Sequence, residues 1–322
     1  MRCKSVQSAI SDIDILHGLA PMNLKQLETV ALVAELGSLS RAARALGIAQ
    51  SLVSRAIAQI EGEWGDRLFE RTGRGVVLSE FGQRIVPHVR LLLDQSARLQ
   101  DEVKDAAGIP VGLVKIGVLP SMAPRLVPAL FEDLRAQAPG VRLHVAEGFS
   151  GQLDEALESG HIDLALINRY GPGPRQDEDV LARVPTYLIC TPAHPFARLT
   201  QLPFRKLDGI PLVLPPSPNG FRSILDQHAR RLGIALDVAL EVESLSTMRE
   251  VALSGCALTI LPRLAVAQDM EAGRLAAVEI VDPRMPRDIA MGVTRHHPLS
   301  RAARHVLSRL HDLVPRVASG EL

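Results

Sequence analysis

The stretch from Leu36 to Leu78, LGSLSRAARALGIAQSLVSRAIAQIEGEWGDRLFERTGRGVVL, leaves this chain little choice of local fold. Ser38 stands where a helix N-cap is needed, and Leu39, Ala42, Ala43 and Leu46 then recur on one face while Arg41 and Arg44 point away. Gly47 can take the left-handed conformation that ends a helix, and only Ile48 and Ala49 separate it from the next periodic run. From Gln50 to Glu63 the residues Val53, Ile57 and Ile60, flanked by Leu52 and Ala56, make a second apolar stripe. Gln50, Ser51, Ser54 and Arg55 remain on the outer face of its first turns. Two short strand-like runs, Leu68 to Arg71 and Val76 to Leu78, follow on either side of the turn Thr72-Gly73-Arg74-Gly75. Helix, tight turn, helix and hairpin in that order predict a winged helix-turn-helix.

The outward chemistry of this unit suits a major groove: Gln pairs bidentately with adenine, Arg with guanine, and Ser with bases or phosphates. The candidate DNA-binding residues are therefore Arg41, Gln50, Ser51, Ser54 and Arg55, with Arg71 and Arg74 placed on the wing to meet phosphate or the minor groove. The whole chain, with 36 basic and 36 acidic residues, has no net charge, which alone would disfavour a nucleic-acid partner. The surplus is local, since seven arginines face five acids between Arg41 and Arg84. Binding per subunit should be modest, and dimerisation has to add to it.

Residues 1 to 21 show no periodicity and read as a disordered extension or an upstream start. Asn23, with Gln26 three residues on, then caps a supporting helix whose apolar face is Leu24, Leu27, Val30, Ala31 and Ala34. Beyond the wing, Ser79 caps a helix predicted to reach Ala107, with a kink at Pro87. In it Ile85, Val89, Leu92, Ser96, Leu99, Val103 and Ala106 alternate spacings of four and three, a seam that asks for a partner helix. Val89, Leu92, Leu99 and Val103 are the candidate dimerisation residues, and Gly108-Ile109-Pro110 reads as a linker.

From Val111 onward short apolar strands alternate with helices, as in an α/β domain. VKIGVL, VRLHVAE and IDLALI are strands separated by helices at Pro124 to Ala138 and Ser150 to Gly160. A second set begins near Tyr187 with YLICT, continues through a long connector to IPLVL, LDVALEVE and CALTILP, and carries helices at Phe221 to Leu232 and Ser246 to Ser254. DIAMGV and a helix from Leu299 to Val314 complete the pattern. Ser121 and Ser150 each follow a strand and open a helix, so each is either a cap or a contact to an anion at the exposed N–H groups there.

Other chemistries find less support. No GxGxxG or GxxxxGK[ST] follows a strand, and Gly148-Phe149-Ser150-Gly151 misses a nucleophile elbow because Gln152 holds the place of the second glycine. The adjacent His296-His297 lacks the helical spacing of zinc ligands and reads as a solvated loop pair; no metal site and no catalytic residue is assigned. Cys3, Cys190 and Cys256 are too few for a disulfide framework, which fits a reducing cytosol. Cys190 and Cys256 read as inert core thiols, and a redox-sensing regulator using them stays as the alternative, beside a plain binding module. No run is long enough to span a membrane, and the start lacks a secretory signal because Asp12 and Asp14 interrupt its only apolar stretch, so a cytoplasmic location without membrane contact is expected.

Residues 22 to about 82 resemble the DNA-binding domain of LysR-type transcriptional regulators through MNLKQLETV, GSLSRAARALGIAQSLVSRAIAQIE and GDRLFERTGRGVVLSEFG. One departure is Ala49, where the family usually carries a Ser or Thr cap. VLPSM, VAEGFSGQLDEALESGHIDLALI and PLVLPPSPNGFR are similar to the branch that contains the nitrogen assimilation control protein. The resemblance implies an α+β multidomain chain: a winged helix-turn-helix (22–82), a long dimerisation helix and linker (83–110), and a two-lobed α/β effector domain like periplasmic binding proteins (111–317). Lobe 1 would take about 111–185 and 289–317, and lobe 2 about 186–288. It further implies double-stranded DNA, a second copy in a dimer or tetramer, and RNA polymerase as partners. No cofactor is implied beyond a small co-inducer, often anionic, between the lobes. Carried over, the effector-binding candidates are Ser121, Met122, Ser150, Ser217 and Asn219, with Asn168 and Thr247 further out.

Overall fold

The computed structural model describes residues 23–73, 75–104, 110–170 and 178–322, with backbone alone at 98 and 101–104. The N-terminal extension, Arg74, Ala106 and the Gly108-Ile109 linker therefore lie outside the described residues, as does the side chain of Val103. The chain forms two compact units, Met1–Gln100 and Asp101–Leu322.

In the first unit, α1 (Leu24–Leu36), α2 (Leu39–Leu46) and α3 (Gln50–Trp64) precede an antiparallel hairpin of β1 (Phe69–Thr72) and β2 (Gly75–Leu78). Asn23 caps α1 through the Lys25 N–H and Ser38 caps α2 through the Arg41 N–H. Gly47 ends α2 in the left-handed region, at φ 68°. Val30, Val33, Ala42, Ala43, Val53, Ile57 and Ile60 meet Leu68, Phe69 and Val76 in one core. The hairpin is fixed at two points. Glu61 accepts the N–H groups of Leu68 and Phe69 at 2.8 and 3.1 Å, and Val76 N–H donates to the Gly37 carbonyl at 3.0 Å. That second contact requires glycine beside it, because a Cβ on Gly75 would come within 2.3 Å of the Gly37 oxygen.

Ser79 caps α4 (Glu80–Lys104) through the Gly82 N–H at 2.9 Å, and the helix runs through Pro87 without a break. Its first turns belong to the winged core: Val86 is buried there and Phe81 and Ile85 pack against it. Val89, four residues past Ile85 and three past Val86, falls on the same face and is only 2% exposed. This corrects its place in the predicted seam, since Val89 is already covered within its own chain. Leu92 and Leu99, at 46% and 64% exposed, are the uncovered part.

The second unit contains two sheets. Lobe 1 has strand order β4-β3-β5-β13-β6, from β3 (Val111–Val118), β4 (Gly140–Glu147), β5 (Leu164–Arg169), β6 (Asp179–Val184) and β13 (Arg287–Val293). β3 lies parallel to β4 and β5, whereas β13 runs antiparallel to both β5 and β6. Its helices are α5 (Ala123–Gln137), α6 (Ser150–Glu158) and the C-terminal α10 (Arg301–Ser319), which close one apolar core with the sheet. Lobe 2 has order β10-β9-β11-β7-β12-β8, from β7 (Tyr187–Cys190), β8 (Gln201–Pro203), β9 (Pro211–Leu214), β10 (Asp237–Glu241), β11 (Leu258–Leu261) and β12 (Ala276–Val281). α7 (Gly220–Leu232), α8 (Leu245–Ser254) and the short α9 (Ala267–Glu271) complete it. The chain passes between lobes twice, from β6 to β7 and from β12 to β13. These crossings are joined to one another: Thr186 Oγ1 donates to the Met285 carbonyl at 2.6 Å, and Ile280 N–H to the Thr186 carbonyl at 3.0 Å.

Three strands, β6, β8 and β12, were not anticipated from the sequence, and β13 starts at Arg287, one residue before DIAMGV. Two side chains also depart from expectation. His297 is buried beside Asp163, with Nε2 3.7 Å from Oδ1, and is no solvated loop residue. Cys256 is exposed ahead of β11, so only Cys190 is the buried thiol predicted for both.

Candidate functional site

The first unit offers a reading face. Gln50, Ser51 and Arg55 are exposed and Ser54 half-buried at the start of α3, because Val53, Ile57 and Ile60 take the opposite side into the core. Ala49 at the N-cap makes no side-chain hydrogen bond, and its carbonyl accepts from Leu52 and Val53. Leu52 itself is 48% exposed. An apolar side chain beside Gln50 and Ser51 suits a thymine methyl group, a role that its place next to the core stripe concealed. Arg71 is exposed on β1, opposite Val76. Arg41 is exposed but turns back to donate to the Leu36 carbonyl, so it braces the α1–α2 corner.

The second site is a cleft between the lobes of the second unit, with a volume of about 680 Å³. Lobe 1 contributes the loop after β3 with Ser121, the start of α6 with Phe149 and Ser150, and the end of β5 with Asn168 and Tyr170. Lobe 2 contributes Pro215 to Phe221, Leu245, Met248 and the end of β11. Ser121, Ser150, Asn168, Ser217 and Asn219 thus line one cavity. Met122 does not: it is 1% exposed, packed in the lobe 1 core. Thr247 is exposed outside the cleft, its N–H taken by the Ser244 cap.

Neither serine caps its helix, which corrects one of the two readings held open for each. Met122 occupies the N-cap of α5 and Phe149 that of α6, where Gln152 reaches back to accept the Phe149 N–H at 3.0 Å. Ser150 is the first helical residue, and its Oγ accepts the Asn168 N–H at 3.0 Å, leaving the hydroxyl proton to be donated. Asn219 caps α7 by accepting from Phe221 and Arg222. Arg222 holds the loop from behind, donating to the Pro215 carbonyl at 3.2 Å and to Glu241 at 2.8 Å.

Two of the charges lining the cleft are committed to each other. Arg169 is clasped by Asp154 at 2.6 Å and by Glu178. Burial works against its charge, but the hydrogen bonds it donates to Glu178 and Asp154 outweigh this and raise its pKa. Arg287, which the sequence reading passed over, is different. It is 5% exposed, lines the cleft, and has no protein partner at Nε or Nη2. Its guanidinium lies 5.6 Å from the Phe221 ring centroid, and that ring stacks on Tyr170 at 5.5 Å. Burial lowers its pKa, offset in part by Tyr170. Cys190, at the end of β7, is pushed up to about 11 by burial, which opposes the thiolate character that a redox switch needs.

Comparison with known proteins agrees with this division. The model of the bacterial regulatory helix-turn-helix protein, lysR family, matches residues 24–83, and that of the LysR substrate binding domain matches residues 107–315. The chain is 27% identical to the HTH-type transcriptional regulator YfeR of Shigella flexneri, over 90% of this chain and 94% of that one. It is also 27% identical to the nitrogen assimilation regulatory protein nac of Klebsiella aerogenes, over 92% and 96%. Full-length CbnR solved with its target DNA shares the fold, with a TM-score of 0.69 at 22% identity over 92% of this chain and all of that one. With a winged helix-turn-helix and an effector-binding domain both matched along its length, the chain belongs to the LysR family of DNA-binding transcriptional regulators.

Proposed function

We propose that this regulator works as a homo-oligomer in the cytoplasm, paired through the exposed part of α4, and is switched by a small anionic effector in the interlobe cleft. No catalytic step and no cofactor belong to this reading. The observation that carries it is a cavity lined from both lobes, with polar groups of Ser121, Ser150, Asn168 and Asn219 beside the buried Arg287. A ligand touching both walls binds one lobe arrangement better than another, and only such differential binding can shift a conformational equilibrium. Coupled to paired heads, that shift changes how two half-sites are met, with RNA polymerase as a downstream partner. The test is a thermal-shift screen of the full chain against small carboxylates, phosphates and uncharged metabolites, followed by footprinting on a selected operator. Anions that raise the melting temperature and alter the footprint are expected. Protection by uncharged compounds alone would overturn the anionic assignment.

A further inference from the structure

Resting on the cleft reading above, a finer assignment follows from which atoms of Arg287 lack partners. A guanidinium has an edge where Nε–H and Nη2–H point the same way and match the two oxygens of a carboxylate. The protein uses this edge on itself: Arg183 gives Nε and Nη2 to the two oxygens of Asp288 at 2.6 and 2.9 Å, one residue after Arg287. On Arg287, whose guanidinium meets the Tyr170 hydroxyl and the Phe221 ring, those same two atoms, Nε and Nη2, are buried without a hydrogen-bond partner. Asp288, the nearest acid in sequence, is already taken by Arg183.

The rest of the lining narrows the ligand further. Asp154, Glu155 and Glu243 border the cleft, while Arg169, the other arginine among the described lining residues, is held by Asp154 and Glu178. Among the described lining residues Arg287 is then the cation with donors to spare, beside Glu155, Glu243 and an Arg169 already balanced by Asp154 and Glu178, which suits a single negative charge and disfavours a second. Phe149, Ile224, Leu245, Met248, Ile260 and Leu261 form much of the remaining wall, so the body of the ligand is apolar. We infer that Arg287 is the specificity-determining residue of the cleft and that it binds, edge-on through Nε and Nη2, the carboxylate of a small monocarboxylate with an uncharged apolar body.

The test uses the full-length protein and two probe pairs, benzoate with benzamide and hexanoate with hexanamide, together with inorganic phosphate, at equal concentration and ionic strength. In the wild type both carboxylates raise the melting temperature, while the amides and phosphate do not. Arg287→Met removes the carboxylate response and raises the melting temperature of the ligand-free protein, because a buried charge with two unsatisfied N–H groups has been replaced by an apolar chain. Arg287→Lys keeps the charge but not the paired donors, and weakens benzoate at least tenfold. Three outcomes would overturn the assignment: no protection by either carboxylate, equal protection in Arg287→Met, or a ligand-free Arg287→Met that melts lower than the wild type. Protection by phosphate that survives Arg287→Met would do the same while leaving an anionic effector in the cleft intact, so the two readings fail separately.

Discussion

The Ser150 hydroxyl oxygen accepts the main-chain N–H of Asn168 at 3.0 Å, fastening the first turn of α6 to the end of β5. Ser150→Ala strands that amide at the cleft wall and is expected to cost about 1–3 kcal/mol in urea denaturation. Ser121, which caps nothing, should tolerate Ser121→Ala to within about 0.5 kcal/mol. An equal loss in both variants would show that the difference between the two serines has been misassigned.

Asp269, with no exposed surface, accepts from Arg249 and Arg274 across the end of α9. The hydrogen bond from Arg249 leads in holding its pKa below the usual carboxylate value, against the opposing effect of burial. A carboxylate lowered on folding contributes stability above its unfolded pKa of roughly 4, and that contribution is lost as pH falls through the folded value. Asp269→Asn should therefore lower the melting temperature at neutral pH and flatten the acid-side decline. Melting curves between about pH 3 and 7 measure both, and an unchanged acid limb would show that the triad does not set it.

Arg55 shares the exposed start of α3 with Gln50 and Ser51. Arg55→Ala should lose about 1–3 kcal/mol of discrimination at one base pair of a selected operator, with oligomeric state unchanged. Titrations of single-base operator variants at fixed salt decide this; an unaltered preference at every position would remove Arg55 from base reading.

Leu92 and Leu99 are the large apolar side chains exposed on α4 among the described residues. The double variant Leu92→Asp, Leu99→Asp should sediment as a monomer and bind a two-half-site operator poorly, since two charges on each helix oppose burial of the seam. A variant that stays dimeric would place the interface elsewhere.

Cys190 is buried, with its thiol pushed up to about 11, and Cys256 is exposed. In the folded protein at about pH 8, iodoacetamide should modify Cys256 and spare Cys190, as mapped by mass spectrometry. Rapid modification of Cys190, or peroxide-dependent DNA binding lost in Cys190→Ser, would revive redox sensing.

The winged unit was legible because its signals are local: Ser38, Gly47 and the stripe Val53, Ile57 and Ile60 each act within a turn or two of themselves. Long-range packing was not legible. Val89 keeps perfect seam spacing, yet it falls on the face that Ile85 and Val86 turn toward the winged core. The caps of α5 and α6 were misplaced because Ser121 and Ser150 look like caps by residue type, while Met122 and Phe149 hold those positions. Arg287 escaped notice for a related reason. It precedes an apolar run by one residue, and its burial arises from Tyr170 and Phe221, each more than sixty positions away. The run AAVEIV of β12 does carry a strand signal, being short, apolar and β-branched at its end.

The Thr186–Met285 bond has a mechanical consequence. Because the two crossings are tied there, a turn of one lobe against the other would pivot at that knot, and Arg287 lies only two residues from it. A group so close to the fulcrum travels little when the lobes turn, whereas Ser121 and the Pro215 to Asn219 loop belong to the opposing arms. The carboxylate would be gripped at a nearly stationary point, and the remainder of the ligand, as the wedge between the arms, would set the angle.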